Sequence, residues 1–382
     1  MIVPPASRLD VVEEYYFAHK LREVRALIAA GNDVVNLGIG NPDLPPAEDV
    51  VSRLQKEAKR TDVHGYQPYM GIASLRASMA GYYQNTYGVT LDPELEILPL
   101  MGSKEGIFHL SMAFLNPGDH VLVPNPGYLG YTAASRLAGA TTRLYNLTAD
   151  KKWLPDFAAL EAADLSGVKM MWINYPHMPT GATASREFFQ QVSRFGERHS
   201  ILICHDNPYS RIDNAEPLSI FNGGSKECCI ELNSLSKSHN MAGWRIGMLI
   251  GATEYLQTAL AVKSNLDSGM FQPIQQAASE ALALQSNWLN KQSEIYRRRK
   301  QLAYHLLDAL GCSYVKDTAG MFVWAQVANS VENVETFVDR LLFEKHVFIA
   351  PGFIFGSNGM RYVRISVCAP EERIQEAINR LN

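Results

Sequence analysis

From about residue 95 to 250 the chain repeats one pattern: a short apolar run, then a stretch whose apolar positions recur at helical spacing. Short runs of this kind read as strands buried on both faces, and the stretches between them as crossover helices. The expected strands are LEILPL (95–100), HVLVP (120–124), TTRLY (141–145), VKMMWI (168–173), SILICH (200–205), CCIEL (228–232) and GMLIG (247–251). Helices fit between them, among them 105–115 and 185–198, the second opened by Ser185 as N-cap. The alternation predicts an α/β fold with a mostly parallel sheet covered by helices. After residue 273 the pattern changes to a long helical stretch closed by Gly311. Two strand-like runs follow, GMFVWAQV and RYVRISVC, with helices expected over 331–344 and 370–381, which suggests a smaller α+β unit.

Composition narrows the partners. The chain has 382 residues, enough for two domains, with 47% hydrophobic and 19% charged residues, as in an ordinary globular protein. A net charge of −4 with interspersed signs gives no basic field for nucleic acid or an anionic membrane, so a small molecule is the expected partner. The start lacks the basic head and apolar stretch of a secretory signal, and no run approaches the roughly 18 apolar residues of a membrane span. A cytoplasmic location is therefore expected. The five cysteines form no CxxC pair and have no histidine at ligand spacing, so free thiols and no metal are expected. Cys228 and Cys229 are neighbours in a strand-like run, where side chains alternate between faces, which argues against a bridge.

The densest chemistry lies in SLSKSHNMAGWRIG, residues 234–247. It brings two hydroxyls (Ser234, Ser236), an amine (Lys237) and a guanidinium (Arg245) into a loop that leads into a strand. A lone loop lysine is ordinarily solvated. A nucleophilic one must be partly neutral, which burial or nearby positive charge achieves. Hydroxyls and an arginine fork suit a phosphate dianion. MGSKEGI (101–107) sits between a strand and a helix, so its free N–H groups would face an anion, although Ser103 could equally be a plain N-cap. HDNPYS (205–210) puts Asp206 at the end of a buried strand, where a carboxylate needs a partner. NLGIGNPDLPP (36–46) has two glycines but lacks the third of a dinucleotide loop.

The segment 234–247 resembles, residue for residue, the surroundings of the Schiff-base lysine in the class I/II aminotransferases, pyridoxal 5'-phosphate enzymes of fold type I. The likeness runs from about residue 10 to the C-terminus. It implies a large cofactor-binding domain over 46–275 and a small C-terminal domain over 276–382, with 1–45 an N-terminal arm and part of the small domain. It makes Lys237 the Schiff-base lysine, Asp206 the partner of the pyridine nitrogen and Tyr209 the donor to the ring phenolate. Gly102, Ser103, Lys104, Ser234, Ser236 and Arg245 would hold the phosphate, and Tyr128 in NPGYLGY would stack on the ring. Gly40, Arg364 in YVRISV and Tyr15 would border the substrate, Arg364 as a fork on its α-carboxylate. Tyr66 in HGYQPYMGIASLR would reach the phosphate of a neighbouring subunit, making the active unit a homodimer with shared sites.

One position departs from the family pattern. Where the family has Asn-Pro-Thr-Gly, this chain has Met178-Pro179-Thr180-Gly181. The missing asparagine would donate to the ring phenolate, and a thioether is at best a weak acceptor. Asn174 and His177 are the nearby groups that could take its place. The expected activity is transfer of an amino group from an L-amino acid to a 2-oxo acid, by family habit 2-oxoglutarate. Two alternatives stay open: a C–S lyase or decarboxylase using the same cofactor, or a cofactor-binding regulatory protein without turnover.

Overall fold

The computed structural model describes residues 2–10 and 16–381. The strands in chain order are β1 (Val35–Asn36), β2 (Ile97–Leu100), β3 (His120–Asn125), β4 (Thr141–Asn146), β5 (Val168–Asn174), β6 (Leu202–Asp206), β7 (Cys229–Ser234), β8 (Gly247–Ile250), β9 (Ser313–Tyr314), β10 (Phe322–Gln326), β11 (Val347–Phe348), β12 (Ala350–Pro351) and β13 (Tyr362–Ser366). All seven strands expected between 95 and 251 join one sheet in the order β2-β8-β7-β6-β5-β3-β4. Every pairing from β4 through β3, β5 and β6 to β7 is parallel, and only β8 runs against its neighbours.

The sheet's inner strands are apolar on both sides because both sides are covered. Met170, Trp172, Cys204, Ile230 and Leu232 pack into one core with Ile107 and Leu110 of the helix Ser103–Phe114. On the opposite face Met171, Ile173, Ile203 and Cys229 meet Phe188, Phe189, Val192 and Phe195 of the helix Arg186–His199. Each such side chain, fully buried, contributes roughly 1.5–3 kcal/mol. As expected, Ser185 caps the second helix, its hydroxyl accepting from Phe188 N.

Strands β12-β13-β10-β9 form a second, antiparallel sheet, and β1 pairs in parallel with β11. The helical stretch after residue 273 is interrupted, running over Gln272–Leu282 and again over Ser286–Ala309. Strand β7 begins at Cys229, which leaves Cys228 outside the alternation, and the two sulfurs lie 3.7 Å apart as free thiols. Among the described residues no helix is long and apolar enough to cross a membrane.

Candidate active site

The parallel strands β3, β5, β6 and β7 each end on a polar residue: Asn125, Asn174, Asp206 and Ser234. The carboxyl edge of a parallel sheet is where such folds bind ligands. There a cavity of about 500 Å³ opens, lined by Gly40, Ser103, Lys104, Tyr128, Asp206, Tyr209, Ser234, Ser236, Lys237, Arg245 and Arg364. Residues spread over more than 300 positions of sequence thus share one wall.

Asp206 closes β6 on the same face as Cys204, inside the sheet's core. Its Oδ2 accepts from Tyr131 Oη at 2.8 Å, and Tyr131 is held by face-to-face stacking on Trp172 at 4.8 Å. Its Oδ1 is buried without a protein partner. Burial pushes the carboxyl up to about 6, against the pull of the Tyr131 hydroxyl. A carboxylate left half-paired in this way is built for a cationic N–H.

Lys237 lies in the short helix Leu235–Ser238, which Ser234 caps by accepting from Ser236 N. Its Nζ donates to the carbonyl of Gly40 at 2.5 Å. Burial lowers its pKa from the usual lysine range, and the positive charges of Arg364 and Arg245 lower it further. A Cβ at Gly40 would stand 2.3 Å from Phe322 Cζ, so a larger residue there would push that ring aside.

The helix Ser103–Phe114 starts without a side-chain cap. Gly102, at φ 85°, occupies the N-cap position and Ser103 is the first helical residue, so the plain-cap reading of Ser103 fails. A Cβ on Gly102 would stand 2.2 Å from Arg245 Nη2, so the glycine lets the guanidinium lie against the open helix start. Arg245 Nη1 also donates to Ser236 Oγ at 3.4 Å. Free N–H groups, an arginine and hydroxyls make an anion cup.

Arg364 sits on β13, between β12 and β10, and is buried. Its guanidinium lies 4.1 Å from the Phe322 ring and 4.6 Å from that of Phe355. Nη2 donates to Gly38 O at 2.6 Å, Nη1 reaches Met178 Sδ at 3.4 Å, and Nε has no partner. Burial brings it down to about 10, so it stays charged at neutral pH. A buried guanidinium with no carboxylate among the described residues calls for an anionic ligand. Tyr209 meets Phe322 edge-on at 5.8 Å, and burial raises its phenol, which keeps the hydroxyl proton in place.

Neither substitute for the missing asparagine moves in. Asn174 donates to Asp206 O at 2.6 Å and accepts from Met178 N at 2.8 Å, so both ends of its amide hold the turn. The His177 ring is buried, neutral (pushed down by burial to about 3), and paired with Thr180 Oγ1 at 2.8 Å. Met178 itself lines the cavity.

Tyr66 is not brought in; it is 93% exposed and outside the cavity. Tyr15 lies outside the described residues. Sequence reasoning missed Tyr131 and the apolar wall of Phe17, Leu21, Phe322 and Phe355. Tyr131 stood three positions from Tyr128 in the same motif, but only its stacking on Trp172 reveals its use.

Residues 32–381 match the family described as aminotransferase class I and II. The chain is 40% identical over 381 residues to the LL-diaminopimelate aminotransferase of Dehalococcoides mccartyi, covering 98% of this chain and 97% of that one. Its fold is similar to substrate-bound BacF from Bacillus subtilis (TM-score 0.94, 34% identity, 100% and 97% of the two chains covered). It is also similar to the aspartate aminotransferase of Thermus thermophilus with maleate (TM-score 0.92, 27% identity, 99% and 98% covered). With a family match over nearly its whole length, the chain belongs to the class I and II aminotransferases, pyridoxal phosphate-dependent enzymes of fold type I that transfer amino groups.

Proposed function

We propose that the cavity at the carboxyl edge of the sheet is the transamination site, with Lys237 as its covalent anchor and proton carrier. The observation that carries this reading is that one cavity holds a part-buried amine, Lys237, and a buried carboxylate, Asp206, whose Oδ1 lacks a partner. Pyridoxal phosphate fits the residues present. Asp206 Oδ1 would take the ring N–H, Tyr128 would lie on the ring and Tyr209 would donate to the phenolate. Gly102, Ser103, Lys104, Ser234, Ser236 and Arg245 would hold the phosphate. When bound, the cofactor supplies an aldehyde that accepts amines and a ring that takes up the electron pair left at the substrate Cα. Lys237, as a free amine, would remove the proton from the substrate Cα and deliver it to the cofactor's C4' carbon, the transfer that leads to the oxo acid. Its depressed pKa leaves more of the amine neutral, as a base must be. Arg364 fixes the α-carboxylate, so Cα faces Lys237.

The proposed donor is an L-amino acid and the acceptor a 2-oxo acid such as 2-oxoglutarate. The relatives' activity makes LL-diaminopimelate one donor to test. The test is a half-reaction with the holoenzyme: loss of the cofactor's visible absorbance, with pyridoxamine phosphate and an oxo acid formed in equal amounts. Release of ammonia and pyruvate without an acceptor would point to lyase chemistry at this site instead.

The active unit proposed is a cytoplasmic homodimer in which the partner subunit's Tyr66 completes the phosphate site. What supports it is the near-complete exposure of Tyr66, alongside exposed Tyr69 and Phe271. The division into 46–275 and 276–382, with 1–45 as arm, is proposed on the same footing; the seven-stranded sheet lies within the first span and the strands β9 to β13 within the second.

Two substitutions probe the assignments. Arg364→Lys keeps a charge but removes the planar fork. The KM for amino acid and oxo acid is expected to rise roughly 10–100-fold, with kcat much less affected; steady-state kinetics check this, and an equal fall in kcat with unchanged KM would remove Arg364 from carboxylate binding. Met178→Asn adds a donor where the family has one. It is expected to lower, by roughly half a unit to one unit, the pH midpoint of the bound cofactor's absorbance change. An unmoved midpoint would mean that another donor already serves the phenolate.

A further inference from the structure

We infer that the substrate's side chain is accepted by an apolar wall built from the N-terminal helix and the segment 352–355, and that the physiological donor carries a large uncharged side chain. The inference rests on the assignment of Arg364 to the α-carboxylate. Five charged residues among those described line the cavity: Lys104, Asp206, Lys237, Arg245 and Arg364. The proposed chemistry uses all five, on the phosphate, the ring, Cα or the α-carboxylate. Among the described residues of this chain, none is left for a second charged group on the substrate.

Away from the polar groups gathered around Asp206, Lys237 and the anion cup, the lining is hydrocarbon. The helix Tyr16–Ala29 turns Phe17, Ala18 and Leu21 toward the cavity, positions that share one helical face. Phe17 and Leu21 pack against the same core that holds Phe322, Ile354 and Phe355, and the Phe17 ring lies 6.0 Å from that of Phe348. Lys20, beside Leu21 on that helix, is buried and committed elsewhere, with Nζ 2.7 Å from Asp339 and 2.8 Å from Glu23. Phe322 and Phe355, stacked on the Arg364 guanidinium, extend the apolar surface to the edge of the carboxylate site. A side chain ending in an ammonium and a carboxylate, as in LL-diaminopimelate, would lose its water against this wall and gain no partner. An aromatic or branched aliphatic side chain would gain contact along its whole length.

Two measurements on the holoenzyme decide this. In single-turnover half-reactions, L-phenylalanine or L-leucine is expected to react with a specificity constant at least roughly 100-fold above that of LL-diaminopimelate or L-aspartate. By calorimetry, the unreactive acid 3-phenylpropionate is expected to bind at least about 10-fold more tightly than glutarate. Leu21→Arg, checked for an unchanged melting temperature, should narrow both ratios by roughly 10-fold or more; Ile354→Arg repeats the test from the other side of the wall. Preference for LL-diaminopimelate or aspartate, with glutarate the tighter ligand, would overturn the inference. If that preference also vanished in Lys104→Met, Lys104 would belong to the substrate rather than to the phosphate. Phenylpropionate bound more tightly while no amino acid reacts would sustain the apolar wall and sink the assignment of the transamination residues.

Discussion

Lys237→Ala is expected to lower transamination by roughly 10⁴-fold or more, the largest effect of any single change in the chain. Two losses combine. The covalent hold on the cofactor goes with the amine, and so does the group that moves the Cα proton. Among the described lysines only Lys104 shares the cavity with Lys237, and its place in the first turn of the helix Ser103–Phe114 assigns it to the phosphate; the buried Lys263 and Lys300 are tied to Asp267 and Asp213 at 2.7 and 2.8 Å. Borohydride reduction of the holoenzyme followed by peptide mass analysis should place the cofactor's mass on the peptide containing Lys237, and on none in the variant. Partial recovery of the variant's turnover with added methylamine would separate proton transfer from anchoring, since a free amine can carry a proton without tethering anything. A labelled lysine elsewhere, or a variant within 10-fold of the parent on the roughly 10⁴-fold scale above, would contradict the assignment.

Much of this site could be read from the sequence because its parts are local. The anion cup at 102–104, the lysine segment 234–245 and the strand-end Asp206 each carry their chemistry within a few residues, and the fold brings them to one cavity. The seven large-sheet strands were legible for a related reason: strands covered on both faces are continuous apolar runs. Features set by packing were not. Strand order leaves no mark on periodicity, and two-residue strands such as β1 and β11 are too short to have any. The break at 283–285 contains Ala, Leu and Gln, with no glycine or proline to announce it. Nothing local to NPGYLGY marks Tyr131 as the residue whose hydroxyl meets Asp206. The apolar wall is assembled from positions near 20, 322 and 354, which no local motif connects.

Asp206→Asn is expected to separate function from stability, moving them in opposite directions. The amide keeps the shape and can still meet Tyr131 Oη, but it cannot carry the charge that would hold a proton on the ring nitrogen. Loss of a buried charge pairing of about 3–5 kcal/mol predicts a fall in turnover of roughly 10²–10⁴-fold. The cofactor-free protein should respond the other way. Burial raises the Asp206 carboxyl from 3.8 to about 6. A raised folded-state pKa means that the side chain's favourable contribution is complete below the unfolded value and is lost as pH rises through about 6. Above that pH the wild-type apoprotein holds a half-paired buried anion, worth about 3 kcal/mol of lost stability for a shift of about two units. The asparagine variant escapes this loss. Its apoprotein should melt near the wild type at about pH 4 and increasingly above it toward about pH 7, where the wild-type side chain is ionised. Holoprotein melts should show the reverse order, because only the carboxylate gains from the bound ring. Thermal melts of both forms across this range, with turnover measured at neutral pH, test the two halves separately. Equal apoprotein melting at all pH values would mean that Asp206 is already neutralised within the chain, and undiminished turnover would mean that the ring nitrogen is held by another group.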